Sequence, residues 1–247
     1  MRYLYSALFY LLVPFIILRL VWRSRRASGY RQRIAERFGL FAPRPELAVP
    51  AIWVHAVSVG ETLAAAPLIE ALLRQWPGYR LVVTTTTPTG SERVRALFGD
   101  RVFHVYAPWD LPGAVRRFLR RTRPELLLIM ETELWPNMLH YSASAGCRIV
   151  LANARLSERS ARGYARLGGL TRQMLRRLAA VACQTRADGE RFVDLGLSPA
   201  ALTVTGSIKF DLDIGADLRS QALLLKRKLG ASSRPVLVAA STHPGEE

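Results

Sequence analysis

The chain of 247 residues is half apolar, long for one domain and short for two, which excludes a disordered chain and allows a sizeable core. A net charge of +16 and a pI near 11 call for a polyanionic partner, either nucleic acid or an anionic membrane surface. Because the basic residues are 32 arginines and only three lysines (Lys209, Lys226 and Lys228), arginine is the default here and a lysine stands out.

In chain order, residues 3–18 (YLYSALFYLLVPFIIL) carry no charge, and Arg19, Arg23, Arg25, Arg26, Arg31 and Arg33 follow. A helix over that run rises ~24 Å, short of a ~30 Å hydrocarbon core. Adding Leu20 to Trp22, with Arg19 snorkelling, gives a single span. A helix lying in the interface, kinked at Pro14, fits the same residues. Only Arg2 precedes the run and no small-residue cleavage site follows it, which argues against a signal peptide. The trailing arginines place the downstream chain in the cytoplasm. Residues 1–22 are therefore expected to be a membrane anchor and 23–50, with Pro43, Pro45 and Pro50, a basic linker. Arg23 to Arg37 and part of the 116–123 arginine cluster are expected to face the membrane.

From residue 51 the pattern alternates. Apolar runs of strand length lie at 51–57, 81–86, 101–106, 125–130, 148–152, 179–183 and 202–205. Helical periods lie at 62–75, 91–98, 110–122, 134–145, 158–178 and 187–195. Continuous apolar strands between amphipathic helices predict a parallel sheet covered on both faces, a Rossmann-like doubly wound α/β domain over 51–211. A connector with a helix at 216–229 fills 212–233. Residues 234–242 (RPVLVAAST) read as a strand, so 234–247 is expected to be only the start of a second domain.

Sheets of this class bind ligands outside the carboxyl ends of their strands, and five polar loops follow predicted strands. Glu61 comes after an SVG turn, where it either favours a helix N-terminus or does chemistry. Its neighbour Gly60 suits a close backbone approach or an unusual dihedral. Thr84 to Thr87, Pro88, Thr89, Gly90 and Ser91 form a hydroxyl-rich entry to a helix, a cap or an anion cradle. Glu131 and Glu133 end an apolar strand, where buried carboxylates need partners. The fourth loop is 153–160, NARLSERS. Lys209, between Ile208 and Phe210, is a candidate functional cation. The arginines at 116–123 and 172–177 recur at helical spacing, as on a solvated face. Cys147 and Cys183 read as reduced, buried small hydrophobes. His55, His104, His140 and His243 show no metal-ligand spacing, and no metal site is read.

HAVSVGET, TTTTPTGSERV, METELWPN, LANARLSERS, VTGSIKFD and STHPGEE occur in this order, after an apolar segment and YRQRIAERFG. Together they resemble the bacterial 3-deoxy-D-manno-octulosonic acid (Kdo) transferases, over essentially the whole chain. The resemblance implies a GT-B fold and inverting transfer of Kdo from CMP-Kdo to a lipid A precursor, lipid IVA, in lipopolysaccharide core synthesis. It implies no metal and no cofactor, and work at the cytoplasmic face of the inner membrane. Glu61 takes the position of the family's catalytic base. Glu131 and Lys209 take its transition-state stabilising positions. Substrate-binding positions are expected at Ser58, Gly60, Thr87, Thr89, Gly90, Ser91, Glu133, Asn153, Arg155 and His243. The N-terminal domain of the family faces the acceptor and the missing second domain holds most of the donor. Other readings are a GT-B transferase for another sugar and a membrane-anchored basic binding module without chemistry. A nucleic-acid binder suits the charge but finds no motif, so nucleic acid is not expected as a partner.

Overall fold

Ala51–His55 (β1) is buried at every residue, as expected of a central strand sealed on both faces. In the computed structural model, which describes residues 1–25, 28–42, 49–211 and 216–230, β1 lies in a parallel seven-stranded sheet. The other strands are Arg80–Thr85 (β2), Phe103–Tyr106 (β3), Pro124–Met130 (β4), Arg148–Ala154 (β5), Ala180–Cys183 (β6) and Leu202–Val204 (β7). Their order is β3-β2-β1-β4-β5-β6-β7. Each predicted strand between 51 and 205 is present within a few residues, and the doubly wound α/β class is the one observed.

Period-two alternation along the strands divides the core. Ile52, Val54, Leu81 and Val83 face helices Val59–Gln75 (α2) and Pro88–Phe98 (α3) through Ile69, Val94 and Phe98. Trp53, Val82, Leu127 and Ile129 face Pro112–Thr122 (α4) and Pro136–Ser144 (α5) through Val115, Phe118 and Met138. The helical period at 158–178 is two helices, Glu158–Arg166 (α6) and Gly169–Leu175 (α7). Gly168 at φ 37° breaks them, and the Thr171 hydroxyl donates to the Tyr164 carbonyl at 2.7 Å across the break. Arg186–Asp194 (α8) closes the set.

The N-terminal helix, Arg2–Ser24 (α1 in chain order), is long and apolar enough to cross a membrane. It packs lengthwise on the domain: Phe9, Val13, Ile16, Ile17 and Leu20 lie against Trp109, Leu111 and Ala114. Its first turn enters a polar network. Arg2 donates to Asn137 Oδ1 at 3.0 Å and the Ser6 hydroxyl to the same oxygen at 3.2 Å. Asp110, almost fully buried, accepts the backbone N–H groups of Asn137 (2.9 Å) and Met138 (2.6 Å), satisfying the start of α5.

The segment after α1 also turns inward, which corrects part of the expected membrane face. Arg37 is buried and donates to the Thr86 carbonyl at 2.9 Å. Arg33 pairs with Glu36 at 2.6 Å and donates to the His104 carbonyl at 3.1 Å, while Glu36 accepts the Tyr106 N–H at 2.9 Å. A strand edge with free donors and acceptors binds these side chains more strongly than solvent does. The chain divides into two compact units, Met1–Phe210 and Asp211–Glu247. In the second, Ala216–Lys228 forms α9, and the predicted strand 234–242 and His243 lie outside the described residues.

Burial pushes the Asp110 carboxyl up from 3.8 to about 6, against the opposing pull of the two backbone N–H groups. Its folded pKa exceeds its unfolded one, so its contribution to stability is complete below pH 3.8 and lost as pH rises through about 6. Urea unfolding across this window should show wild type losing up to about 3 kcal/mol that Asp110→Asn does not lose. Parallel pH profiles for the two proteins would contradict this.

Candidate functional site

The strand order reverses between β1 and β4. The chain leaves β1 for α2 on one face and leaves β4 for α5 on the other, so the carboxyl ends of these two strands open into a crevice. The loops lining it are 131–135, which carries Glu131 and Glu133, and 56–58, which leads into the first turn of α2 and Glu61.

Glu61 sits in the first turn of α2 and is 7% exposed. Ser58 is the N-cap, its Oγ accepting the Glu61 N–H at 3.2 Å. Glu61 folds back so that Oε1 accepts the Ser58 hydroxyl at 2.9 Å and Oε2 the Val57 N–H at 2.8 Å, a variant of the capping box. The helix-start role and a chemical role therefore use the same geometry. Burial raises the Glu61 pKa first; the Val57 and Ser58 donors lower it, and the charges of Glu133 and Glu131 raise it again. The upward influences win, a carboxylate readier to hold a proton than usual. Gly60 has no unusual dihedral. A Cβ there would meet only Ser58 Oγ, at 3.9 Å, so what glycine provides is open space above the helix end.

Glu131 follows β4 in the left-handed region at φ 55°, its N–H bound to the Ala152 carbonyl at 2.9 Å. Asn153, on the neighbouring strand, is also left-handed at φ 54°. The two lie side by side at the carboxyl edge; asparagine takes this conformation readily and glutamate seldom does. Glu133 accepts from Trp135 Nε1 at 2.9 Å, and burial raises its pKa, with Glu131 adding to the rise. Trp135 also meets the His55 ring edge-on at 5.0 Å, joining the loop to the end of β1. His55 is fully buried, its Nδ1 2.9 Å from Thr84 Oγ1, and burial drives its pKa down to about 3, so it is neutral.

The remaining candidates divide. Asn153 Oδ1 accepts the Ile208 N–H at 3.2 Å and so pins the 3-10 turn Ile208–Asp211 to β5. Lys209 rides on that turn, exposed, and among the described residues no ion pair joins it to Glu131 or Glu133. Arg155 is exposed, and its carbonyl accepts from Thr132 of the carboxylate loop. Thr87 caps α3 by accepting the Gly90 N–H at 3.1 Å, and Thr89 lies exposed beside it. A Cβ on Gly90 would come within 3.0 Å of Thr87 Oγ1 and 3.2 Å of Thr85, so this glycine serves close packing. Ser91 is buried and accepts from Arg33 at 3.1 Å, away from any open surface. Sequence reasoning missed Asp110 and Asn137. The available signal was a lone acid in the apolar stretch YAPWDLP, followed by a proline-started helix.

A family model described as 3-deoxy-D-manno-octulosonic-acid transferase (kdotransferase) matches residues 32–212. The 3-deoxy-D-manno-octulosonic acid transferase of Haemophilus influenzae is 41% identical, aligned over 100% of this chain and 57% of that protein. That of Bordetella pertussis is also 41% identical, over 96% of this chain and 55% of that protein. The chain thus spans about half the length of the curated relatives it matches. The structure of a UDP-GlcNAc 2-epimerase from Neisseria meningitidis bound to UDP-GlcNAc superposes with a TM-score of 0.51 at 12% identity. That match covers 72% of this chain and 54% of the epimerase, and it shows likeness of fold alone.

Ser58→Ala removes both the cap on α2 and the hydroxyl on Glu61. Denaturant unfolding should show a loss of about 1 kcal/mol. No measurable loss would mean that the cap does not form.

Proposed function

This chain belongs to the 3-deoxy-D-manno-octulosonic acid (Kdo) transferase family, and on that premise we propose that it forms the acceptor-side half of an inverting transferase. The donor in this reading is CMP-Kdo and the acceptor a lipid A precursor, lipid IVA, at the cytoplasmic face of the inner membrane. No metal or cofactor is assigned a role.

The acceptor hydroxyl attacks the anomeric carbon of Kdo while the bond from that carbon to the CMP phosphate breaks, and CMP departs with the bonding pair. The hydroxyl proton passes to the Glu61 carboxylate, which regains its charge by losing the proton to solvent. One observation carries the assignment. Glu61 is a buried carboxylate at the strand-order reversal, with its proton affinity raised by burial and by two neighbouring acids. A helix N-terminus alone would have made it a weaker base. Val57 and Ser58 fix its orientation, each carboxylate oxygen retaining a lone pair for the substrate.

In this reading Glu131 stabilises the positive charge that develops at the sugar carbon in the transition state, and Glu133, held by Trp135, contacts the substrate. Lys209 sits on an exposed turn, held at its start by Asn153, and its ammonium is available to the donor's phosphate or sugar carboxylate. The space above Gly60 is open, and in this reading the acceptor hydroxyl approaches Glu61 from that side.

In a full-length enzyme carrying this segment, Glu61→Gln should lower kcat for CMP-Kdo-dependent modification of lipid IVA by about 10²–10⁴-fold, with the donor KM little changed. Wild-type turnover in that variant would overturn the base assignment. No Kdo transfer by the unsubstituted enzyme would overturn the activity itself.

A further inference from the structure

On the flank of the domain, between α4 and α5, an open pocket of about 510 Å³ is lined by Arg116, Arg120, His140 and Tyr141. Two guanidinium groups stack on the Tyr141 ring, Arg2 at 5.1 Å and Arg116 at 4.6 Å from its centre. Arg2 also donates to the Tyr141 hydroxyl at 3.2 Å. At the other side Arg177 Nη2 lies 3.0 Å from His140 Nδ1. Burial lowers the His140 pKa, and the charges of Arg2, Arg177 and Arg116 lower it further, so three cations bear on one imidazole.

Among the described residues no carboxylate pairs with them: the ion pairs involve Arg33, Arg101, Arg162 and Arg191, none of this cluster. Asp110 feels the charge of Arg2, but the N–H groups at the start of α5 already occupy both of its oxygens. Four guanidinium groups held together without a carboxylate repel one another, and the planar fork of arginine matches the oxygens of a phosphate.

The surroundings select among phosphates. Arg2 is the first residue of α1, whose far side exposes Leu4, Leu8, Leu11, Phe15 and Leu18 along one stripe. The opposite side, Phe9 to Leu20, is packed on Trp109 and Ala114. A helix fixed lengthwise to the domain presents its apolar stripe along one leaflet rather than across two. A helix whose first residue, Arg2, stacks on Tyr141 of the cationic pocket and whose outer face is apolar offers contacts for both ends of a lipid. We propose that the pocket of Arg116, Arg120, His140 and Tyr141, with Arg2 and Arg177 beside it, binds the phosphate of an anionic membrane lipid whose acyl chains lie against the exposed stripe of α1. The pocket's lining residues on α5, His140 and Tyr141, lie more than one turn beyond Trp135 and the carboxylate crevice, and the proposal does not depend on the transfer reaction.

The test is co-sedimentation of the 247-residue chain with phosphatidylcholine vesicles, with and without phosphatidic acid. Arg116→Ala/Arg120→Ala is compared with Arg93→Ala/Arg95→Ala, an equal loss of exposed charge on α3 at the other face of the sheet. All four side chains are exposed, so both variants should melt with the wild type. The pocket pair should lose about tenfold or more in affinity for phosphatidic acid vesicles, and the control pair less than about threefold. Dihexanoyl phosphatidic acid should shift the His140 ring resonances saturably in wild type, and inorganic phosphate at equal concentration should not. Equal losses in the two pairs would overturn the proposal in favour of diffuse charge. Inorganic phosphate saturating His140 as tightly as the short lipid would overturn the lipid assignment.

Discussion

The reversal of strand order between β1 and β4 is the constraint on which the site depends. Two adjacent strands that send their chains to opposite faces leave a gap that neither α2 nor α5 can fill. Backbone N–H groups at the start of α2 and the free end of β4 open into that gap. A carboxylate placed there is removed from solvent yet still reachable by a ligand. Glu61, Glu131 and Glu133 occupy this place; the charges of Glu131 and Glu133 raise the cost of ionising Glu61, and that of Glu131 raises the cost of ionising Glu133. The fold thus creates a position in which an ordinary glutamate becomes a better proton acceptor.

A second constraint organises the rest of the surface. Asp110 has to be satisfied inside the protein, and it achieves this through the first N–H groups of α5. Asn137, at that same helix start, holds Arg2 and Ser6, so α5 is tied at one point to the N-terminal helix and, through Trp135, to the crevice. Arg33, Glu36 and Arg37 fasten the following segment to the β2–β3 side, so the basic stretch after α1 is partly structural.

Much of this was legible in the residues, and for physical reasons. Strands sealed on both faces must be apolar without interruption, which made 51–57, 81–86 and 125–130 readable. The helix at 158–178 failed because its period does not report a backbone reversal at Gly168. Glu61 and the 131–133 carboxylates stood out because buried acids are costly. Ser91 looked like the same kind of loop hydroxyl as Thr87 and Thr89, yet it is committed to Arg33, a partner 58 residues earlier. The inward turn of Arg37 was equally hidden, since the pattern of a basic linker carries no mark of the carbonyl it will meet. The left-handed backbone of Glu131 and of Asn153 follows from how neighbouring strands end, which is a tertiary fact.

The claim that Glu61 is a proton acceptor tuned by its neighbours is tested most directly by titrating its side-chain carboxyl carbon by NMR, in wild type and in Glu133→Gln. The account predicts a Glu61 midpoint above that of an ordinary glutamate in wild type, and a lower midpoint once the neighbouring charge is removed. An ordinary midpoint that stays put in the variant would contradict it.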